Sequence, residues 1–382
     1  MTDTESHTFE FIEDDDALAE FAEREIPNIE GQPIGLDIEE DREHRYKPSV
    51  ALIQITIADR DFVIDPLALS APVFLPVIEA LCLMPSRVIM HGCRNDVTGL
   101  KRDFGVGPKN VGDTQTAARF LGADAFGLAA LLGQRFGVEL NKAVRRSNWL
   151  NRPLSEKQIA YAREDTRYVL NLWSLLEAEV AAAGWADALE EECGALAELY
   201  PEPPVFDPLG WRRAKGAKQL TDVQQFRAAA LWRWRDQVAR SQNLHQSRTL
   251  APWAVVYLAK AGAAAVEAGT SKGLPSRLTG PQRAALIRAL DDPSEVELKR
   301  PHAPRKKATV SSDILDARMS RLSEWRARIS ERTGLESGFV APRTVLESIA
   351  RASVEGPEGY AEIPEIRQWR ASRWADDWWT LR

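Results

Sequence analysis

The stretch Gly35-Leu36-Asp37-Ile38-Glu39-Glu40-Asp41 puts four acids into five residues, shortly before an apolar run at 50–57, VALIQITI. Carboxylates beside a sheet core are costly unless they are paired or hold a cation. In a strand, residues i and i+2 share a face, so Asp37 and Glu39 can converge on one point. Glu40 and Asp41 are expected past the strand end, in solvent. Hard divalent cations suit such a pair, because Mg²⁺ takes oxygen ligands, often one or two carboxylates plus a substrate phosphate. Two more acids extend the set. Asp96 lies four residues after Gly92 in HGCRNDVTGL, at a loop-to-helix junction. Asp165 lies four residues after Tyr161 in QIAYAREDTRYVL, and i and i+4 share a helix face. Singly, each has a plainer reading: a solvated strand end, an exposed N-cap, a surface hydrogen-bonded pair.

The elements that must hold these residues are legible in the spacing. Acids open a helix at 14–25, which suits the helix dipole. Strands are predicted at 33–38, 50–57 and 62–65, the last two joined by the turn ADRD, and together they read as a meander. A helix follows around 72–83, then a short strand at 87–92, a helix over 96–104, and a strand running into a helix from about Asp113. FGLAALLGQRFGVEL predicts a helix ending near Gly137. The pattern from Ser155 to about Ala183 is helical, and Ser155 with Gln158 forms a capping box. Strands followed by mixed strands and helices predict an α/β or α+β domain ending near residue 195.

Composition separates the rest. The 382 residues suffice for two or three domains, and 44% hydrophobic with 27% charged is ordinary for a globular chain. No apolar run is long enough for a membrane span. The acidic N-terminus lacks the basic flank and apolar core of a secretory signal. Cys82, Cys93 and Cys193 have no Cys-x-x-Cys spacing, so neither a disulfide framework nor a structural zinc is expected, and a reducing cytoplasm is the simplest setting. The net charge of −7 splits unevenly: residues 207–382 carry 30 Lys+Arg against 20 Asp+Glu, and residues 1–206 carry 19 against 36. The basic half is the natural holder of an anionic polymer. YPEPPVFDPLG at 200–210, with four prolines, reads as a linker. Beyond it an internal repeat is visible: Trp234-Arg235 and Trp325-Arg326 are each followed ten residues after the Trp by Leu244 or Leu335, and then by Ala-Pro. Two copies of one helical unit follow from this. Nine of twelve tryptophans lie in this half, mostly at core spacing, though Trp232 and Trp234 cannot both face inward.

Taken in chain order, Asp-x-Glu on a strand, Asp after Gly at a helix start, and Tyr-x-x-x-Asp on a late helix resemble the three exonuclease motifs of the DEDD superfamily, tyrosine subclass. YKPSVALIQI, HGCRNDVTGLKRDFGV, DTQTAARFLG and NWLNRPLSEKQIAYAREDTRYVL resemble the segments around those motifs. The chain as a whole resembles the ribonuclease D family. WRRAKGAKQL is similar to the family's linker, and the helical repeats resemble HRDC domains, nucleic-acid-binding modules of RecQ-type helicases and ribonuclease D. The match is firm for the first copy and looser for the second, whose end, RWADDWWTLR, is Trp-rich.

The resemblance implies a ribonuclease H-like α/β exonuclease domain with a mixed central sheet over residues 1–199 and a linker at 200–218. It implies all-α HRDC-type domains at 219–290 and 311–382, with a second linker at 291–310. It implies a metal-dependent 3′→5′ exoribonuclease releasing nucleoside 5′-monophosphates, using two divalent ions, Mg²⁺ or Mn²⁺. Asp37, Glu39, Asp96 and Asp165 would be the metal ligands, and Tyr161 would orient or help deprotonate the attacking water. The implied substrate is RNA, tRNA precursors or other structured RNA with a 3′ extension, in the cytoplasm, with no membrane and no obligate protein partner. The alternatives are a 3′→5′ DNA exonuclease and a nucleic-acid-binding protein with an inactive exonuclease core. Lys142, Arg145 and Arg146, just before the third motif, are candidates for phosphate contact, and His44 is a lesser candidate for touching substrate. His91 reads as structural. One departure stands out: the family usually has an aromatic residue directly after the first-motif Glu, near the terminal nucleotide, and here that position is Glu40.

Overall fold

The computed structural model describes residues 8–140, 144–145, 147–203, 205–274, 278–293, 298 and 311–382. In its first half, chain order runs β1 (Thr8–Ile12), α1 (Asp15–Glu25), β2 (Ile34–Asp41), β3 (Ser49–Ile57), β4 (Arg60–Ile64), α2 (Ala71–Leu83), β5 (Val88–Met90) and α3 (Arg94–Phe104). It continues through β6 (Val111–Asp113), α4 (Thr114–Phe120), α5 (Leu128–Phe136), α6 (Glu156–Arg167), α7 (Val169–Ala182) and α8 (Ala186–Ala197). The six strands form one sheet in the order β1-β4-β3-β2-β5-β6. The β3–β4 pairing is antiparallel, and β1–β4, β2–β5 and β5–β6 are parallel. Every residue of β3 after Ser49 is buried, as a central strand covered on both faces requires.

Two expectations need correction. Glu40 and Asp41 are not solvated past a strand end: β2 runs through Asp41, and both side chains are nearly buried. They are tolerated because each has partners, as set out below. The helical stretch from Ser155 is two helices, α6 and α7, broken at Tyr168. The Ser155–Gln158 capping box is present at the start of α6. The edge strand β1 has no counterpart among the expected elements, because TFEFI is short, half-exposed and set in an acidic segment.

The chain divides into two compact units. One comprises Met1–Glu40, Val50–Pro201 and Lys307–Arg382; the other comprises Asp41–Ser49 and Glu202–Lys306. The second unit holds α9 (Asp222–Gln242), α10 (Gln246–Thr249), α11 (Pro252–Ala261), α12 (Ala263–Glu267) and α13 (Gly280–Asp291). The loop between β2 and β3 belongs to it: Tyr46 donates to Asp236 (2.9 Å), and the His44 carbonyl accepts from the His245 N–H (2.9 Å). Asp41 accepts from the backbone of Glu43, His44 and Arg45 and lies 2.6 Å from His44 Nδ1, which satisfies its buried carboxylate.

The C-terminal helices α14 (Ser312–Thr333), α15 (Ser337–Val340), α16 (Arg343–Arg351) and α17 (Gln368–Thr380) complete the first unit. One apolar cluster joins Leu172, Trp173 and Leu189 to Trp325, Leu346, Trp369 and Trp374. Phe120 meets Phe339 and Trp369 edge-on at 4.8 and 5.4 Å. The Glu191 carboxylate accepts from the Gln368 and Trp369 N–H groups, both at 2.7 Å, capping the start of α17. Arg370, 5% exposed, pairs with Glu192 at 2.6 Å and donates to the Phe339 and Val340 carbonyls. The Trp-rich end is therefore core. The repeat recurs in three dimensions, since Arg235 donates to the Leu250 carbonyl and Arg326 to the Ala341 carbonyl. Trp234 is buried, whereas Trp232 is half-buried beneath Arg235, whose guanidinium lies 3.5 Å from the ring centroid. Among the described residues, no helix is long and apolar enough to cross a membrane.

Removing the Glu192 carboxylate would leave the Arg370 guanidinium buried against carbonyls alone. Glu192→Ala is expected to cost about 2–3 kcal/mol, read as a lower urea midpoint at unchanged m in tryptophan fluorescence.

Candidate active site

Alternation along β2 sends its residues to two different neighbours. Gly35, Asp37 and Glu39 face α6 and α7. A Cβ on Gly35 would lie 2.9 Å from Val169 Cγ2 and 3.2 Å from the Thr166 carbonyl oxygen, so only glycine lets the α6–α7 junction come this close. The Thr56 hydroxyl, buried in β3, sits 2.9 Å from the Thr166 hydroxyl on the same side. Ile38 and Glu40 face α3: a Cβ on Gly99 would lie 2.5 Å from Glu40 Oε1 and 3.0 Å from Ile38 Cδ1. The strand is thus held between the helix that carries Asp96 and the helix that carries Tyr161 and Asp165.

The start of α3 is fixed by Asp113. Its carboxylate accepts from the Cys93 N–H at 2.8 Å and caps α4 through the Thr116 N–H at 2.6 Å. His91 Nδ1 lies 2.8 Å from the Thr114 hydroxyl, a contact internal to the scaffold. Behind Tyr161 lies a small apolar cluster of Ala51, Leu52, Val63, Trp149 and Ala162. The Trp149 and Tyr161 rings are 6.1 Å apart and tilted by 35°. The Trp149 segment is clamped by Arg152, which grips both oxygens of the buried Asp65 and donates to the carbonyls of Ala51 (2.8 Å) and Trp149 (2.6 Å).

The four acids and the tyrosine form one electrostatic group. Burial, and then the charge of Asp96, pushes the Asp37 carboxyl well above its ordinary range. Burial lifts Glu39 as well, reinforced by Asp37, Asp165 and Asp96. Asp165 is raised to about 8 by burial and by Asp37, against a hydrogen bond from Tyr161 that favours its ionised form. The Tyr161 phenol is pushed far up by burial and by Asp165, Glu39 and Asp37. Each mutual effect follows from like charges sharing a desolvated space. Arg145, exposed just before the third motif, acts in the opposite sense on Glu39 and Asp165. Lys142 and Arg146 lie outside the described residues. His44 belongs to the other unit, where Asp41 holds it.

As donors, the group offers carboxylate oxygens without a thiolate or imidazole, which suits hard divalent cations rather than zinc. Among the described residues, no three His, Cys, Asp or Glu side chains are spaced as a ready-made metal cage. The fit to a cation therefore rests on donor chemistry and on the repulsion a cation would relieve.

Residues that position the site without carrying its chemistry were not singled out in the sequence. Gly35 had a signal, a glycine inside a strand, which marks close approach. Asp113 had one too, as an N-cap directly after a strand. The Arg152–Asp65 clamp had none, because its partners are 87 residues apart.

The model of a family described as 3′-5′ exonuclease matches residues 9–181. A ribonuclease D of Xanthomonas oryzae is 30% identical over 324 residues, 83% of this chain and 85% of that protein. The chain belongs to the ribonuclease D family. A ribonuclease D of Haemophilus influenzae is 32% identical over 240 residues, covering 62% of this chain but 58% of that protein, so the match spans less than two thirds of that relative. The crystal structure of Escherichia coli RNase D, described there as an exoribonuclease involved in structured RNA processing, overlays with a TM-score of 0.65 at 24% identity, over 98% of each chain. The first unit has the ribonuclease H-like α/β exonuclease fold with a mixed sheet.

Gly35→Ala is expected to push α6 and α7 away from β2 and lower thermal stability. Differential scanning calorimetry would read the effect as a lower melting temperature. The acids also predict a pH dependence of stability in chelator. Asp165 ionises near 4 when unfolded but near 8 when folded. The folded chain therefore holds the proton that the unfolded chain releases, and stability falls as pH rises from about 4 to about 8. Asp165→Asn should raise the metal-free melting temperature more at pH 8 than at pH 5.

Proposed function

We propose that this chain is a metal-dependent 3′→5′ exoribonuclease that releases nucleoside 5′-monophosphates from RNA 3′ ends. The observation that carries the reading is the convergence of Asp37, Glu39 and Asp165 with Tyr161 into one half-buried group whose carboxyls are raised, with the charge of Asp96 acting on Asp37 and Glu39. Membership of the ribonuclease D family supports it. Asp37, Glu39, Asp96 and Asp165 would hold two divalent cations, Mg²⁺ or Mn²⁺. Bound there, the cations would supply the positive charge that a phosphodiester needs and make water a stronger nucleophile.

The chain's own groups supply orientation. The Tyr161 phenol is held protonated at neutral pH, so it donates a hydrogen bond and orients water rather than acting as a base. We assign Arg145, Lys142 and Arg146 to contact with substrate phosphate, a role supported for Arg145 by its charge acting on Glu39 and Asp165. The exonuclease domain ends near residue 199, and the helical segments 219–290 and 311–382 are HRDC-type units. We take the first as the holder of RNA. The substrate class is tRNA precursors or other structured RNA with a 3′ extension, in the cytoplasm.

A 5′-labelled tRNA with a 3′ extension, and a DNA of matched sequence, would be incubated with Mg²⁺, Mn²⁺ or chelator. Metal-dependent shortening of the RNA from its 3′ end is expected, and Asp165→Asn should slow it by roughly 1,000-fold. RNA that is bound but never shortened with either metal would overturn the catalytic reading. Equal shortening of DNA would overturn the restriction to RNA.

A further inference from the structure

The residue that departs from the family pattern, Glu40, is built into a bridge of its own. Its side chain is 6% exposed and lies 2.8 Å from Arg102 Nη2. A carboxylate this buried is tolerated only with a charged partner. Arg102 also grips Asp103 with two parallel contacts of 2.8 Å, from Nε and Nη2, the fork geometry that fixes direction as well as distance. Asp103 in turn accepts from the Val50 N–H at 2.6 Å. The bridge thus runs from the last turn of α3 to the C-terminal end of β2 and to the start of β3. Those are the two points where the chain leaves the first unit, after Glu40, and re-enters it, at Val50. Gly99 makes room for it, since any Cβ there would collide with Glu40 Oε1 at 2.5 Å.

The consequence lies one turn and a half up the same helix. α3 is held in the apolar core by Cys93, Val97 and Leu100, and its start is tied to Asp113 through the Cys93 N–H. The bridge adds a charged tie to β2 near the other end of the helix, so α3 is fastened both beside Asp96 and away from it. Glu40 neighbours Glu39, so one contact ties the strand carrying Asp37 and Glu39 directly to the helix carrying Asp96.

We propose that Glu40 and Arg102 are positioning residues for the metal-holding group, fixing how closely Asp96 approaches Asp37 and Glu39. The proposal rests on the reading of that group as a cation site. Here residue 40 acts through α3, on the strand face opposite Asp37 and Glu39, and not by touching the terminal nucleotide.

The test uses the full chain. Mn²⁺ binding would be measured by isothermal titration calorimetry for the wild type, Glu40→Gln and Arg102→Lys, alongside kcat and KM on a single-stranded RNA. Glu40→Gln keeps the shape and removes the charge. It is expected to weaken Mn²⁺ binding by about 10-fold, as loss of an outer contact to metal ligands does, and to lower kcat while KM changes less than about twofold. Arg102→Lys keeps a cation without the fork and should fall between the two. Should Glu40→Gln bind Mn²⁺ as tightly as the wild type, or lose only thermal stability in chelator, the positioning role is overturned while the cation site stands. A wild type that binds no Mn²⁺ would instead remove the cation site, and this proposal with it.

Discussion

Like charges held out of water are the constraint around which the first unit is arranged. Asp37 raises Glu39 and Asp165, Asp165 raises Glu39, and Asp96 adds to Asp37 and Glu39. Such a group pushes its own scaffold apart, so the scaffold must be stiff where the acids are attached. Stiffness comes from contacts carrying no chemistry of their own: the missing side chain of Gly35, the double acceptance by Asp113, and the grip of Arg152 on Asp65 behind Trp149. Each fixes a different element, so the acids are constrained from three sides.

The same logic extends to the C-terminal helices. They share one apolar cluster with α4, α7 and α8, and α17 is fastened through the acids of α8. Asp187, Glu191 and Glu192 there take Arg373, two backbone N–H groups and Arg370. Many arginines in this segment are therefore spent internally: Arg318, Arg326 and Arg370 all donate to carbonyls of their own segment. The +10 balance of residues 207–382 is a count of side chains, and Arg235 and Arg370 within it are buried against protein.

Glu40 shows what a nearly buried acid beside the first motif requires of its surroundings. An acid at that position requires a cation within reach and space at Gly99, and both are present on α3. The helix that brings Asp96 is, on this account, oriented by the strand it serves.

By itself the sequence determined the local and the chemical. The strands expected at 33–38, 50–57 and 62–65 and the capping box at Ser155 could be read because each rests on spacing within a few residues, while the set Asp37, Glu39, Asp96, Tyr161 and Asp165 was joined by the resemblance of its motifs in chain order. Periodicity and capping are short-range consequences of backbone geometry. Where the sequence was silent or misleading, the deciding partner was far away. Glu40 and Asp41 read as solvated strand-end acids, and only Arg102 and the loop backbone after Asp41 make their burial possible. Edge strand β1 exists because β4 offers it a partner, and the Trp-rich C-terminus is core because α8 lies beneath it. Tertiary structure decided these points because the free energy of a buried charge or an apolar face depends on what meets it in space. That partner stands tens to hundreds of residues away along the chain.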